Sequence, residues 1–479
     1  MRRTLLTATF LVGCLCSAFT AAREPQASPQ LPSRDTDTFT ISNDDVTRIL
    51  RERVDQMHKG VGIVVGLVDR TGTRVISYGT TDRKNHRPVN GDSVFEIGSL
   101  TKLFTGILLA DMVDRGEVRL DDPISKYLPD SVRAPTRNGK EITLAHLSTH
   151  TSGLPRMPGN FGSLWWRLCP WCSDASGPYS RYSVEQMYRF LSGYTLKHDI
   201  GAKSEYSNYA VALLGQILAR RAGTDYATLV RTRITQPLGM SDTALRPTPE
   251  MQVRLASGFH DSLKPAPSWD LSGAFAAAGG LLSTTNDLLK FAAANVNLRQ
   301  SPVLAAMQRS HLPSEASKMQ MGLGWGIARR CGTEVRSHTG GTGGYTSYLG
   351  IDLKRRRGVV VLTNTTNEIP DLFDHLLERQ VPVLKDHRQA ITLNDNALDA
   401  YVGVYRLQPD AVLILTRRGD RLFSQRTGGK KMEMFATTDT EFFAETFNAP
   451  FTFVKDGGRV TQVVIHYQCG VDERGQKIK

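Results

Sequence analysis

Beyond its first 22 residues the chain has no apolar run of membrane-spanning length, which excludes a helical span in the body of the protein. No internal repeat is present. Cysteine is scarce: six in 479 residues, of which Cys169, Cys172, Cys331 and Cys469 lie outside the N-terminal apolar run. Cys169-Pro-Trp-Cys172 has the spacing of redox motifs, but no thioredoxin-like βαβ pattern surrounds it. Nor does a second C-x-x-C complete a zinc site. The pair reads as a local bridge in an inserted loop. An even number of cysteines in an exported chain permits disulfides, and the pairing stays open. His146 and His150 stand four apart like a helical zinc pair, but the glutamate of H-E-x-x-H is missing, so neither metal nor other cofactor is expected.

Acidic residues are outnumbered, 47 against 59 Lys and Arg, for a formal net charge of +12. Such an excess can mark a nucleic-acid partner. Here the basic residues are scattered and the chain carries an export signal, so no nucleic acid is expected. The one cluster, Lys354-Arg-Arg-Arg357, lies between two apolar runs and reads as a solvated hairpin turn. With 40% hydrophobic and 22% charged residues, the rest is ordinary globular protein, long enough for two or three domains. Arg2 and Arg3, the apolar Leu5 to Phe19 and the small Thr20-Ala-Ala22 form a secretory signal over 1–22, implying a periplasmic or secreted protein. Leu11-Val-Gly-Cys14 also resembles a lipobox, so a lipid anchor at Cys14 is the alternative.

Residues 23–40, rich in Pro, Ser, Thr and Gln, read as a flexible leader. Val61–Val68 and Arg74–Tyr78 are β-rich runs split by Thr71-Gly72, a hairpin. Leu103–Val113 is apolar almost all round and predicts a buried helix with Ser99 at its N-terminus, where the helix dipole favours developing negative charge. Helices are expected at Val184–Leu191, Tyr209–Arg221 and Asn286–Ala294. Strands are expected at Thr346–Asp352 and Gly358–Thr363, and a helix at Asp371–Arg379. This order implies an α/β sheet assembled from both ends of a 41–385 domain, with a helical region inserted. Over 390–479, short runs such as Val412–Thr416, Phe451–Val454 and Val460–Ile465 alternate with Gly/Asp turns and predict a small all-β domain, a barrel or curved sheet.

Three segments carry chemistry. Ser99 and Lys102, three apart, put a hydroxyl and an amine on one helical face. Serine needs such a base to act as a nucleophile. Tyr206-Ser-Asn208 and His338-Thr-Gly-Gly341 follow at separations of 107 and 132 residues, so only tertiary folding can unite them. In this order the three resemble the signatures of penicillin-recognising serine hydrolases: class C β-lactamases, D-Ala-D-Ala carboxypeptidases and related esterases. Leu120-Asp-Asp-Pro to Pro129, Ile142-Thr-Leu to His150-Thr-Ser-Gly-Leu154, Gln236-Pro-Leu-Gly-Met240 and Gly279-Gly-Leu-Leu-Ser-Thr284 are similar to the family's connecting pieces, over about residues 45–380. Arg133-Ala-Pro-Thr-Arg-Asn-Gly139 resembles the carboxypeptidase/endopeptidase branch.

The resemblance implies an antiparallel β-lactamase/transpeptidase-like sheet flanked by helices, with a helical subdomain. It also implies an acyl-enzyme on Ser99, with Lys102 as base and Tyr206 shuttling protons. Asn208, His338, Thr339, Gly340 and Gly341 would bind substrate, and the amides of Ser99 and Gly341 would form the oxyanion hole, worth on the order of 3 kcal/mol per donor. Substrates would be β-lactams, D-Ala-terminated peptides or esters. The third signature usually opens with lysine. Histidine there is mostly neutral above about pH 6.5, which resembles the esterase and peptidase relatives as much as a β-lactamase. The competing readings are an esterase or D-aminopeptidase on the same scaffold and, from another class, a penicillin-binding sensor that acylates without turnover.

Overall fold

The computed structural model describes residues 38–161, 179–313, 321–379, 381–383, 390–409, 411–444, 447–467, 469 and 471–479. Helix α1 (Asn43–Arg51) starts at Ser42, whose hydroxyl accepts the Asp45 amide at 3.0 Å. The expected hairpin follows as β1 (Gly62–Asp69) and β2 (Gly72–Gly79). A short pair, β3 (Val94–Glu96) and β4 (Leu282–Thr284), brackets the helical region. The sheet is then completed by β5 (Gly326–Arg330), β6 (Thr333–Gly341), β7 (Thr346–Asp352) and β8 (Arg357–Thr363), giving the antiparallel order β2-β1-β8-β7-β6-β5.

Strands β1 and β8 are buried throughout because both faces of the sheet are covered. Alternation sends Val64, Val68, Val360 and Leu362 into one core, and Ile63, Val65, Leu67, Val359 and Val361 into the other. The larger core takes α2 (Thr101–Asp114), α3 (Val184–Gly193), α4 (Asn208–Ala222) and α5 (Thr285–Asn295). Every residue of α2 from Thr101 to Met112 is buried, and Phe104 stacks on Phe291 of α5 at 4.5 Å. Helix α4 stops at Gly223, whose φ of +66° is the left-handed conformation that ends a helix. Helices α1 and α6 (Pro370–Leu377) cover the second face, and the turn that follows α1 is tied to α6 by the buried Arg53–Asp371 ion pair.

The basic cluster is a hairpin turn, as expected, but not a solvated one. Arg355 reaches Asp352 and Glu378 at 3.5 and 3.3 Å, and Arg357 lies buried over the Phe39 ring, 3.7 Å from Asp352. Arg356 donates to the Val296 carbonyl at 3.2 Å. The buried Asp352 carboxylate needs these cations, so the turn is clamped to neighbouring elements.

Eight strands close the C-terminal barrel: β9 (Gly403–Gln408), β10 (Ala411–Arg418), β11 (Arg421–Arg426), β12 (Met432–Ala436), β13 (Glu441–Ala444), β14 (Phe447–Asp456), β15 (Arg459–Tyr467) and β16 (Val471–Lys477). Its interior is filled by side chains, with Tyr401, Phe442 and Phe453 packed ring against ring at 4.8–5.1 Å. Cys331, in the turn between β5 and β6, is disulfide-bonded to Cys469 of the barrel, 138 residues away. That pairing takes two thiols out of any four-cysteine zinc site. Cys169 and Cys172 lie outside the described residues, as do the N-terminal segment and its candidate anchor Cys14.

A bridge that closes so long a loop restrains the unfolded chain strongly. Cys331→Ser, like reduction of the native protein, should lower the unfolding free energy by about 2–5 kcal/mol. Calorimetry with and without reductant checks this, and a native Tm indifferent to reductant would refute it.

Candidate active site

Ser99 occupies a short 3-10 turn, Gly98–Leu100, that runs directly into α2. The turn is held from three directions. The Ile97 amide donates to the Leu281 carbonyl at 3.1 Å. Thr101 Oγ1 donates to the Gly98 carbonyl at 2.7 Å and accepts the Leu281 amide at 3.1 Å, while Ser347 Oγ donates to the Ile97 carbonyl at 2.8 Å. On the sheet side, backbone meets backbone. A Cβ at Gly98 (φ +48°) would lie 2.8 Å from the Gly341 nitrogen, and one at Gly340 would lie 2.1 Å from the Ile97 carbonyl oxygen. Only glycine permits this approach.

Lys102 is 1% exposed beneath the serine. Its Nζ donates to the Ala278 carbonyl at 2.6 Å and lies 2.8 Å from Ser99 Oγ. Burial, reinforced by the Arg156 charge, holds its pKa well below the ordinary 10.5. A neutral amine has two N–H donors and one lone pair, so the lone pair can face the serine hydroxyl. Tyr206 donates to the same Oγ from the other side at 2.8 Å. Burial raises its pKa, which keeps the phenol protonated. One serine oxygen thus contacts a base and an acid at once.

Three further residues build this corner, and the sequence reading assigned none of them a role in it. The Arg156 guanidinium lies 5.1 Å from the centroid of the Tyr206 ring, and Lys102 Nζ lies 5.0 Å from it. His150, with φ +60°, packs its ring 4.5 Å from that of Tyr206. Its Nδ1 accepts the Ser207 amide at 3.1 Å, and burial pushes its pKa to about 3, so it is a neutral support. Glu96, inside the Ser99 segment, accepts the Trp269 amide at 3.0 Å and fixes that indole on the cleft wall. Burial raises the Glu96 pKa. The only signal for these residues in the sequence was adjacency: His150 opens the His150-to-Leu154 piece, Arg156 lies two residues past it, and Glu96 lies three residues before Ser99.

The cleft, about 590 Å³, is lined by Ser99, Tyr206, Asn208 and the strand His338–Gly341, with Lys102 beneath its floor. All eight residues singled out in the sequence therefore converge. Asn208 opens α4, its Oδ1 buried without a partner and its Nδ2 3.9 Å from Met157 Sδ. The His338 ring stands 6.2 Å from that of Tyr206, its Nδ1 2.6 Å from the Thr339 carbonyl. Part of the ring faces the cleft, yet burial in front of Lys102 pushes its pKa down, leaving it neutral. His146 is used locally, in a capping box with Thr143. A larger groove of about 1070 Å³, between Tyr182 and Arg246, holds no serine–lysine pair.

Residues 46–381 match the family model described as Beta-lactamase, and residues 387–479 match a domain of unknown function, DUF3471. The chain is 30% identical over 388 residues to the D-alanyl-D-alanine-carboxypeptidase/endopeptidase AmpH of Escherichia coli (strain K12), covering 76% of this chain and 91% of that protein. It is 25% identical over 432 residues to Penicillin-binding protein 4* of Bacillus subtilis (strain 168), covering 84% and 92%. A crystal structure of a Beta-lactamase/D-alanine Carboxypeptidase from Yersinia pestis, complexed with citrate, superposes with a TM-score of 0.59 at 26% identity, covering 70% of this chain and 99% of that one.

Gly340→Ala tests the backbone junction. The added methyl must push the Ile97–Ser99 turn away, so a loss of Ser99 reactivity of at least 100-fold is expected with the circular dichroism spectrum unchanged. Retained reactivity in the acylation assay described below would show that the approach is not needed.

Proposed function

The chain belongs to the Beta-lactamase family of serine hydrolases, and from that membership we propose that it is an exported enzyme cleaving β-lactam or D-Ala-terminated peptide amides through an acyl-enzyme on Ser99. One observation carries the reading: Ser99 Oγ lies 2.8 Å from both Lys102 Nζ and Tyr206 Oη. In the proposed course, Oγ attacks the carbonyl carbon and its proton passes to Lys102 Nζ. The tetrahedral oxyanion is held by the amides of Ser99 and Gly341. Tyr206 protonates the leaving nitrogen, the C–N bond breaks, and the Lys102 proton returns to Tyr206 across the space between them. Water then attacks the ester with the same groups working in reverse, releasing the acid and restoring the serine.

Asn208, with its buried unpaired Oδ1, is suited to accept an N–H from the substrate amide. Strand β6 at His338–Gly341 is suited to pair with an extended peptide. The 41–385 domain would hold the whole site, with the 390–479 barrel beside it. The disulfide accords with an oxidising compartment and hence with export. An esterase activity on the same site is favoured by one feature: His338 supplies no fixed charge where the family's third signature usually has lysine.

A fluorescent penicillin should label the native protein and leave Ser99→Ala unlabelled, and D-Ala should be released from a D-Ala-D-Ala peptide. Brief labelling marks a β-lactamase and lasting labelling a slow peptidase or sensor. Failure to label, to release D-Ala and to cleave simple esters would overturn the reading. Activity needs Lys102 without its proton. The rate kcat/KM should therefore fall as pH drops through a Lys102 pKa lying well below 10.5, and an acid limb at 10.5 would show that burial does not free Lys102 of its proton.

A further inference from the structure

We propose that Arg156 is the residue that reads a carboxylate on the substrate, an assignment that rests on the acyl-enzyme function proposed for this cleft. Charge and position lead to it. Among the described residues lining the cleft, Arg156 is the only lysine or arginine. His338 stands neutral at the head of the third signature, and Lys102, below the floor, is held without its proton. The remaining charged group among the described residues of the wall is an acid, Glu368, whose charge acts on Tyr348. Among the described residues, an anionic substrate has one fixed cation to meet.

Arg156 is also built into place without spending its side chain. Its carbonyl accepts the amides of Asn208 and Tyr209, at 3.1 and 3.3 Å, the first free donors of α4. Its main chain is therefore pinned beside the residue suited to hold the substrate amide. The guanidinium lies over the ring of the phenol that touches Ser99, and its surface is exposed. No carboxylate among the described residues pairs with it, so its planar fork is available for two parallel hydrogen bonds to a carboxylate. A neutral ester cannot use it. The same charge helps keep the proton off Lys102. Substrate recognition and activation of the base thus meet in one side chain.

The test compares native enzyme, Arg156→Gln and Arg156→Lys on two substrate pairs. One pair is a D-Ala-D-Ala peptide as the free acid and as its C-terminal amide. The other is the same peptide with and without a carboxylate on the acyl side. The native enzyme should prefer the acid member of one pair, and Arg156→Gln should shrink that preference 10- to 100-fold, mainly through KM. Arg156→Lys should restore part of it, since it keeps the charge and loses the fork. Which pair responds assigns the carboxylate to the leaving or the acyl side. In Arg156→Gln the acid limb of kcat/KM should also move to higher pH. The groups facing Lys102 and Arg156 here are Tyr206, His150, His338 and Tyr179, and removing a cation from among them lets Lys102 hold its proton more readily. Native turnover with both acid-to-neutral ratios unmoved by Arg156→Gln overturns the assignment alone. Native failure on every substrate overturns the proposed function and the assignment with it.

Discussion

Keeping an ammonium charged inside a protein core costs several kcal/mol, and Lys102, at the base of a helix buried on every side, loses its proton instead. Much of the site follows from that burial. A neutral amine must still satisfy its N–H groups, and the Ala278 carbonyl, contributed by the segment leading into β4, receives one of them. With one N–H so directed, the lone pair is left facing Ser99. The helix that buries the lysine is itself a product of its composition: an unbroken apolar run has no solvent face to offer, so it packs in the centre.

The second constraint is the contact between that helix's leading turn and strand β6. Side chains come to the site from the helical region, in Lys102, Tyr206, Asn208 and Arg156, while the sheet brings the His338–Gly341 strand. The two halves meet backbone to backbone at Gly98 and Gly340, and any side chain there would wedge them apart. Ser99, Lys102 and Tyr206 on one half are thus brought to the His338–Gly341 strand on the other. The sheet can hold this edge steady because its central strands are anchored in hydrophobic cores on both faces. The disulfide from the β5–β6 turn ties the same edge to the barrel.

The electrostatics of the cleft are unusual for the protein's overall charge. A formal +12 is scattered along the chain, yet inside the site burial strips protons from Lys102, His150 and His338 and leaves Tyr206 with its own. Desolvation dominates each of these shifts. The result is a cleft in which Lys102, Tyr206, His150 and His338 are neutral at rest and the Arg156 cation sits to one side, on the tyrosine ring. Net charge therefore says little about what the site attracts.

Much of the fold was legible in the chain. The hairpin at Thr71-Gly72, the buried helix after Ser99, the helix from Tyr209 to Arg221 and the strand Thr346–Asp352 were all readable from periodicity and turn residues, because those features reflect local preference. The barrel was readable only as texture: three of its runs stood out, and the other strands are too short and too polar on one face to announce themselves. The basic turn was misread, because solvation was inferred from charge while the buried partner, Asp352, is visible only after folding. For the site, residue type and spacing were enough to single out the serine, lysine, tyrosine and the His338–Gly341 strand. They could not bring in Arg156, His150 or Glu96, whose roles come from where a ring, a helix end and a loop happen to pack. The order of motifs along the chain thus determined which chemistry this protein carries. Protonation states, the backbone junction and the placement of Arg156 were decided by tertiary structure alone, because burial and close approach are properties of neighbours that sequence separation hides.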